Sequence, residues 1–294
     1  MFDKNFYKDV EIPGRLKHIL YSDTDSVFIT VPRKNSQELS LKDRWDLIEK
    51  VAEDINDVVI RYNTEYLLPM MNIDPKYNKT FFKTEFLMET MMFLDVKKNY
   101  AYLLSVKEGK ILSPPKPGYK GIPIVKSDAA LITRNLLTDI INNIVLDINM
   151  DITEKYNLTI ECITKYKNIF NTNIKDLDLL EIGMPKKWNK QDYVLNGMKL
   201  WNEISNSEDF TPGTSGLLFY ITKGSGEKIK TIDLKDTSSM TLVVPYNYNK
   251  KTLLENLAKY QINIDKNKQW DTVYHKIIER VLDCLKYMSM ENNK

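Results

Sequence analysis

Residues 18–32 read His-Ile-Leu-Tyr-Ser-Asp-Thr-Asp-Ser-Val-Phe-Ile-Thr-Val-Pro, and this stretch decides the fold expected for the first part of the chain. Apolar and β-branched residues flank a polar centre, which predicts two strands joined by a tight turn, with Pro32 ending the second strand. Asp23 and Asp25 have the spacing that puts two side chains on the same face of a strand. The pattern therefore predicts a β-hairpin with two converging carboxylates, which are suitable ligands for a hard divalent metal ion.

The run Tyr21-Ser22-Asp23-Thr24-Asp25-Ser26 resembles Y-G-D-T-D-S, the palm-hairpin signature of family B DNA polymerases, with Ser22 in place of the glycine. Two further elements follow in the family's order. Lys97-Lys98-Asn99-Tyr100-Ala101 resembles the K-K-x-Y-A element, and residues 120–128 resemble the element that ends the palm and opens the thumb, although Pro123 replaces its usual glutamate. The resemblance is sharp between about residues 17 and 130, and the remainder of the chain matches only as a helical thumb.

Two other motifs of that family are absent from this sequence: D-x-x-S-L-Y-P-S, which supplies another metal-binding aspartate, and K-x-x-x-N-S-x-Y-G, which contacts the incoming nucleotide. The exonuclease motifs are absent as well. The resemblance therefore implies the C-terminal palm-and-thumb portion of a split or truncated replicative polymerase of the phage or viral type. We expect a separate N-terminal chain to supply the missing parts, in an obligate heteromer held at an apolar face around the hairpin and the helix from Leu41.

The activity implied by the resemblance is DNA-directed DNA synthesis, with primer-template DNA and deoxynucleoside triphosphates as substrates and two Mg²⁺ ions, or Mn²⁺, as cofactors. Asp25 would bridge both ions and Asp23 would assist beside them, while Tyr21 and Thr24 would face the primer end. The remaining residues with an implied role all contact the duplex: Lys97, Lys98, Tyr100, Lys120 and Lys126.

Local charge agrees with a nucleic-acid partner, although the net charge of the chain is only +2. Residues 96–126 contain seven lysines and a single acid, Glu108, among three tyrosines. Lysines on an exposed edge strand can also simply oppose strand pairing between molecules, and the sequence alone leaves that alternative open. A catalytically idle protein that binds duplex DNA, and a chance resemblance in an unrelated enzyme, remain the competing interpretations.

Composition narrows the class of protein further. The chain has 294 residues, 43% of them apolar, which is enough for a substantial core. No apolar run approaches the roughly 18 residues of a membrane span, and the first residues lack the pattern of a signal peptide, so we expect no membrane association and a cytoplasmic location, in an infected host cell if the gene is viral. Two cysteines and two histidines lie far apart, which argues against a zinc site.

Periodicity predicts the remaining elements. In the first part we predict a helix over residues 41–68, strands at 80–87, 91–94 and 100–106 that complete one sheet with the hairpin, and a proline-rich turn at 113–118. In the second part we predict a helix after the N-cap residues Ser127 and Asp128, a helix at 158–170, strands at 217–221 and 240–244, and a long last helix with an apolar stripe from Trp270 to Leu285. The expected fold class is α+β, with an antiparallel palm sheet and packed helices over 1–125 and a mostly helical thumb with a few strands over 126–294.

Overall fold

The computed structural model describes residues 19–23, 26–30, 39–94, 97–124, 127–172, 176, 178–188, 192–222, 240–274 and 276–292. Antiparallel sheets and packed helices make up the fold, which confirms the predicted α+β class. Contacts divide the chain into two compact units. The first runs up to Met88 and includes Leu104–Lys116, and the second contains Glu89–Leu103 and the chain from Pro117 onward. The predicted division between residues 125 and 126 falls outside the described residues and stays a prediction.

The first unit contains the hairpin and a long helix. Strands β1 (Ile19–Asp23) and β2 (Ser26–Ile29) pair antiparallel. Helix α1 (Leu41–Tyr62) begins at Ser40, whose hydroxyl oxygen accepts a hydrogen bond from the Asp43 N–H at 3.2 Å. It continues through a π-helical turn (Asn63–Leu67) and a last turn (Leu68–Met70), which confirms the predicted helix over 41–68.

After α1 the chain turns through a short 3₁₀ helix (Pro75–Tyr77) and runs back along α1. The Asn78 side-chain amide donates to the Ile60 carbonyl at 3.3 Å, and the Asn56 amide donates to the Phe82 carbonyl at 2.8 Å. The Phe82 N–H in turn donates to the Asn56 side-chain oxygen. A side chain of α1 therefore takes both backbone groups of Phe82, and residues 80–85 are not part of a strand.

Three strands follow, in the order β3-β4-β5: β3 (Phe86–Phe93), β4 (Tyr100–Lys107) and β5 (Lys110–Lys120). The predicted strands at 80–87 and 91–94 were wrong in their limits, because one continuous strand, β3, spans 86–93. The predicted turn at 113–118 was also wrong, since these residues lie inside β5. This strand is at the edge of its sheet, where a proline needs no ladder partner for its missing N–H.

The hairpin and the β3-β4-β5 sheet are separate sheets in the described part of the chain, so the single sheet predicted from sequence was wrong there. In the first unit, a small core joins the long helix to this sheet: Trp45 of α1 packs with Leu87 of β3 and Val106 of β4. The hydrophobic contact of one helix turn therefore fixes α1 against the sheet.

The second unit is mixed. Its helices are α2 (Leu131–Ile140, continued by a π-helical turn at Ile141–Val145), α3 (Ile152–Ile169), α4 (Leu179–Ile182), α5 (Asp192–Ser205), α6 (Lys250–Lys259), α7 (Lys266–Val273) and α8 (Lys276–Asn292). Its strands are β6 (Met184–Lys187), β7 (Ser215–Thr222), β8 (Thr241–Pro245) and β9 (Asn263–Ile264). These strands pair antiparallel in the order β6-β7-β8, with β9 also on β7. The predicted strands at 217–221 and 240–244 are confirmed as β7 and β8.

Helix limits in this unit differ from those predicted. The N-cap of α2 is Ala130, without a side-chain bond, so the predicted caps Ser127 and Asp128 were wrong. Helix α3 begins six residues before the predicted 158, because the Asp151 side chain accepts bonds from two N–H groups of its first turn. The predicted long last helix is two helices, since Tyr274 leaves the helical conformation between α7 and α8, with its ring stacked on Trp270 at 5.8 Å.

A buried glutamine joins several elements of this unit. Gln269 of α7 has no exposed surface. Its amide donates to the carbonyls of Ile182 at 2.7 Å and Leu218 at 3.4 Å, and its side-chain oxygen accepts from the Tyr220 N–H at 3.0 Å. A polar group at this depth is stable only with its partners in place, so Gln269 helps to fix α7 against β7. Of the helices in the described residues, none is both long and apolar enough to cross a membrane.

Candidate nucleic-acid interface

The predicted hairpin is present in the structure. Ser22 pairs with Val27 and Asp23 pairs with Ser26, and a bulge lies between Ile19 and Tyr21. Asp23 is therefore the last residue of β1, at the end of the ladder that leads to the turn. Thr24 and Asp25, and the side chains of Tyr21 and Asp23, lie outside the described part, so the convergence of the two carboxylates stays a prediction.

The strand pairing nevertheless suits the proposed metal ligands chemically. Asp23 is the last paired residue of β1, and Ser26 is the first of β2. Only Thr24 and Asp25 lie between them in the sequence, so both carboxylates are at the same short connection between the strands. Carboxylate oxygens are the donors that Mg²⁺ prefers. Within the described residues, no group of three or more His, Cys, Asp or Glu side chains is arranged to hold a metal ion.

The two lysines of the second motif lie in the turn between β3 and β4. Lys97 and Lys98 are both exposed, and the turn is closed by the Leu94 N–H, which donates to the Asn99 carbonyl at 3.0 Å. Lys98 has a φ of 63°, in the left-handed region that residues other than glycine rarely adopt. This conformation is part of the local geometry that presents the two ammonium groups at the surface.

The third motif meets the second one at this turn. Gly121, just after β5, has a φ of 69°, and a Cβ atom there would lie 2.5 Å from the Lys98 carbonyl oxygen and 1.9 Å from the Asn99 side-chain oxygen. Only a residue without a side chain fits against the turn in this way. The elements that resemble K-K-x-Y-A and K-G-I are therefore in direct contact, although some twenty residues separate them in the sequence.

Aromatic side chains support the same end of the sheet. The Tyr100 ring lies 5.7 Å from the Phe93 ring and 6.1 Å from the Tyr102 ring, measured between centroids. Tyr102 covers Gly118 so closely that a Cβ on this glycine would lie 2.3 Å from its ring. Burial raises the pKa of Tyr102 above its ordinary value. These contacts give Tyr100 a packing role, while its predicted contact with DNA stays a prediction.

The end of β5 is tied to the helical part of the second unit. The Tyr119 hydroxyl donates to the side-chain oxygen of Asn142, and burial raises the pKa of Tyr119. Lys120 follows and is exposed, while Ile122 is 2% exposed and belongs to the main core together with Ala101. The buried Ala101 follows Lys97 and Lys98 in sequence, and the buried Ile122 follows Lys120, so a core residue anchors each group of exposed lysines. Lys126 lies outside the described residues, and its predicted role is untested.

The acid within the lysine-rich segment is placed away from the turn. Glu108 follows the far end of β4 from Lys98, and its carboxylate lies 3.9 Å from the ammonium group of Lys83. The other described lysines of the segment are exposed: Lys107, Lys110 and Lys116. Glu108 is therefore engaged locally. The acid nearest in sequence to Lys97 and Lys98 is Asp95, which lies outside the described residues.

Sequence reasoning missed several residues that form this surface, namely Asn99, Gly121 and the Tyr119–Asn142 pair. A glycine directly after a strand is the one sequence signal that could have indicated Gly121 as a point of close approach. The hydrogen bond between Tyr119 and Asn142 joins residues from different elements, and no local pattern predicts it.

Comparison with known proteins gives a distant structural likeness. No protein-family model matches this chain, and no curated protein matches its sequence. The structure of the family B DNA polymerase from the hyperthermophilic archaeon Pyrobaculum calidifontis is similar to it, with a TM-score of 0.41 and 15% sequence identity. The match covers 86% of this chain and 27% of that polymerase, so the chain spans about a quarter of its length.

Proposed function

We propose that this chain is the palm-and-thumb portion of a family B DNA polymerase, acts in DNA replication, and needs an N-terminal partner chain for activity because it lacks two of the family's motifs. The observation that carries the proposal is the contact of Gly121 with the Lys98–Asn99 turn. The pairing of β4 with β5 brings the two polymerase-like elements together at one end of the β3-β4-β5 sheet, where both present exposed lysines. The antiparallel pairing of β1 with β2, whose last pair is Asp23 and Ser26, adds the hairpin expected of the first element.

The proposed role of the lysines is to hold the duplex formed by primer and template. Lys97, Lys98, Lys120 and Lys126 would contact phosphates or the minor groove, where acceptor atoms are nearly the same for every base pair. Such contacts test the shape of the duplex and carry little sequence information. Tyr100 would hold the strand that carries the lysine turn, as its contacts with Phe93 and Tyr102 indicate.

The proposed role of the hairpin is catalytic. Asp25 would be the principal metal ligand and Asp23 an auxiliary one, with Tyr21 and Thr24 facing the primer end. Bound Mg²⁺, or Mn²⁺, would supply activation of the primer 3′-hydroxyl and charge neutralisation on the triphosphate. The carboxylates of this chain would bind and orient, and a separate N-terminal chain would contribute the remaining aspartate, the nucleotide-binding helix and the exonuclease.

The test of catalysis uses the chain co-expressed with a polypeptide that carries the D-x-x-S-L-Y-P-S and K-x-x-x-N-S-x-Y-G motifs. Primer extension is expected from the pair and from neither chain alone. Asp25→Asn should lower extension by at least about a thousandfold, because a carboxylate ligand is lost, and should leave the affinity for primer-template within about twofold. Full activity of Asp25→Asn would refute the catalytic role and favour the idle DNA-binding protein. Extension by the chain alone would refute the need for a partner.

The test of DNA binding uses the chain by itself. The double variant Lys97→Ala/Lys98→Ala is expected to weaken binding to a primer-template duplex and to reduce the slope of log K against log salt by about 1 to 2, one phosphate contact for each lysine. The matched control is Lys276→Ala/Lys286→Ala, which removes two exposed lysines from α8. Equal effects of the two double variants would refute a specific role for the β3–β4 turn.

A further inference from the structure

Helix α1 leaves several of its apolar side chains exposed. Trp45 is its one buried side chain, and every residue of α1 lies in the described part. Leu41, Trp45 and Ile48 face the small core with β3 and β4. A helix with apolar residues on more than one face normally has a partner on each of them. The inner face of α1 packs on the sheet, and its other apolar face has exposed side chains.

That second face is a continuous stripe along α1 and its continuation. We call it the outer stripe, and its members are Leu47, Val51, Val58, Tyr62, Tyr66 and Met70. They recur at intervals of four or seven residues, which places them along one side of the helix. The Tyr62 and Tyr66 rings stack with centroids 6.0 Å apart, which confirms that they share a side. Val58 is 50% exposed, Tyr66 48% and Met70 81%.

Charged residues border the outer stripe. The order of their signs is such that opposite charges pair when the same helix is set against itself in the reverse direction. Lys50, Asp54, Arg61 and Glu65 are all exposed along one border. In an antiparallel pair of α1 helices centred near Val58, Lys50 of one copy faces Glu65 of the other, and Asp54 faces Arg61. Leu47 then lies opposite Met70. A parallel pair would instead place this border against the other border of the partner helix, so these four charges would not face one another.

We propose that the outer stripe is the interface of a homodimer, in which the α1 helices of two copies pack antiparallel about a twofold axis. A twofold interface uses the same surface on both copies, so it requires the reversed complementarity that this border has. A different partner would place no such requirement on the order of the charges. The contact runs about 35 to 45 Å, the length of α1 and its continuation, and buries roughly 1,000 Å² in total, the lower end for a specific interface. This inference does not depend on the proposed polymerase activity, and it assigns to a second copy a face of the helix that the sequence analysis expected to bind the N-terminal chain.

The first experiment measures the mass of the purified full-length chain by sedimentation equilibrium over about 1 to 100 μM. A dimer of twice the 34.4 kDa chain mass is expected, with a dissociation constant in the micromolar range. Val58→Glu places two carboxylates at the centre of the interface and should raise that constant at least about thirtyfold. Val58 is half exposed in the single chain, so circular dichroism should show an unchanged fold. A chain that is monomeric throughout, or a dimer indifferent to Val58→Glu, would overturn the proposal.

The second experiment tests the antiparallel register by charge exchange. Asp54→Arg and Arg61→Asp should each weaken the dimer about tenfold, because each creates two repulsive contacts across the twofold axis. The double variant restores opposite charges and should return to within about threefold of the original constant. Residues 54 and 61 are seven apart on one helix, so a contact within one copy does not explain such a restoration. Glu49→Arg changes an exposed acid on the other side of α1 and serves as the control. Additive weakening in the double variant, or an equal effect of Glu49→Arg, would overturn the register.

Discussion

Gly121→Ala tests whether the turn that joins the two polymerase-like elements is a fixed part of the fold. Alanine at a φ of 69° costs about 1 to 2 kcal/mol relative to its ordinary conformation. Its Cβ would also lie 2.5 Å from the Lys98 carbonyl oxygen, a backbone atom that cannot rotate away as the Asn99 side chain can. Displacing packed atoms typically costs about 1 to 3 kcal/mol. We therefore expect a total loss of about 3 kcal/mol in the free energy of unfolding.

The chain contains a closer control for the backbone contribution. Gly109 also has a positive φ, 78°, but a Cβ atom there would lie 3.8 Å from Trp45 Nε1, an ordinary van der Waals distance. Gly109→Ala should therefore show only the conformational cost, about 1 to 2 kcal/mol. Both variants are measured by urea unfolding with tryptophan fluorescence, since Trp45 reports on the unit of Gly109, while Trp188, Trp201 and Trp270 report on that of Gly121. Equal losses for Gly121→Ala and Gly109→Ala would refute the close contact at the turn.

Three further results are expected. Lys98→Gly should be about 1 kcal/mol more stable to urea than Lys98→Ala, because glycine accepts the φ of 63° without strain, and equal stabilities would contradict this. Gln269→Leu should lower the free energy of unfolding by about 3 kcal/mol, since it leaves the Ile182 carbonyl and the Tyr220 N–H without their bonds, and a loss below about 1 kcal/mol would show that these bonds matter little. Burial raises the pKa of the Cys162 thiol from 9.0 to about 11. The contribution of this thiol to the free energy of unfolding is therefore complete below pH 9, and it is lost as the pH rises toward 11, because the unfolded chain releases the proton first. Alkylation of Cys162 by iodoacetamide, followed by peptide mapping, should rise over the same pH range, and a midpoint near pH 9 would contradict the shift.

Local sequence patterns were sufficient for much of the fold. The hairpin strands, α1, β4, β7 and β8 were predicted because each has a clear apolar period within a single segment. The limits of α3 could also have been found, since Asp151 with Glu154 three residues later is a recognised start of a helix. The fold class followed from the order of these elements.

The wrong predictions have physical causes outside the local pattern. Residues 80–85 have the composition of a strand, but Asn56 takes the hydrogen bonds of Phe82 that a neighbouring strand would have made. Residues 113–118 have the composition of a turn, but an edge position in the sheet tolerates their prolines. In both cases a neighbour distant in sequence decided the backbone conformation.

For the candidate site, the sequence by itself determined which chemical groups are present: two carboxylates in a short connection between strands, and lysines that outnumber acids in one segment. Only the tertiary structure decided that Lys98 and Gly121 meet, that Asn142 binds Tyr119, and that some apolar residues of α1 pack on the sheet while others are exposed. The reason is that periodicity and turn chemistry act over a few neighbouring residues. Contact between separate elements instead depends on the packing of the whole chain, where burial and steric fit select one arrangement.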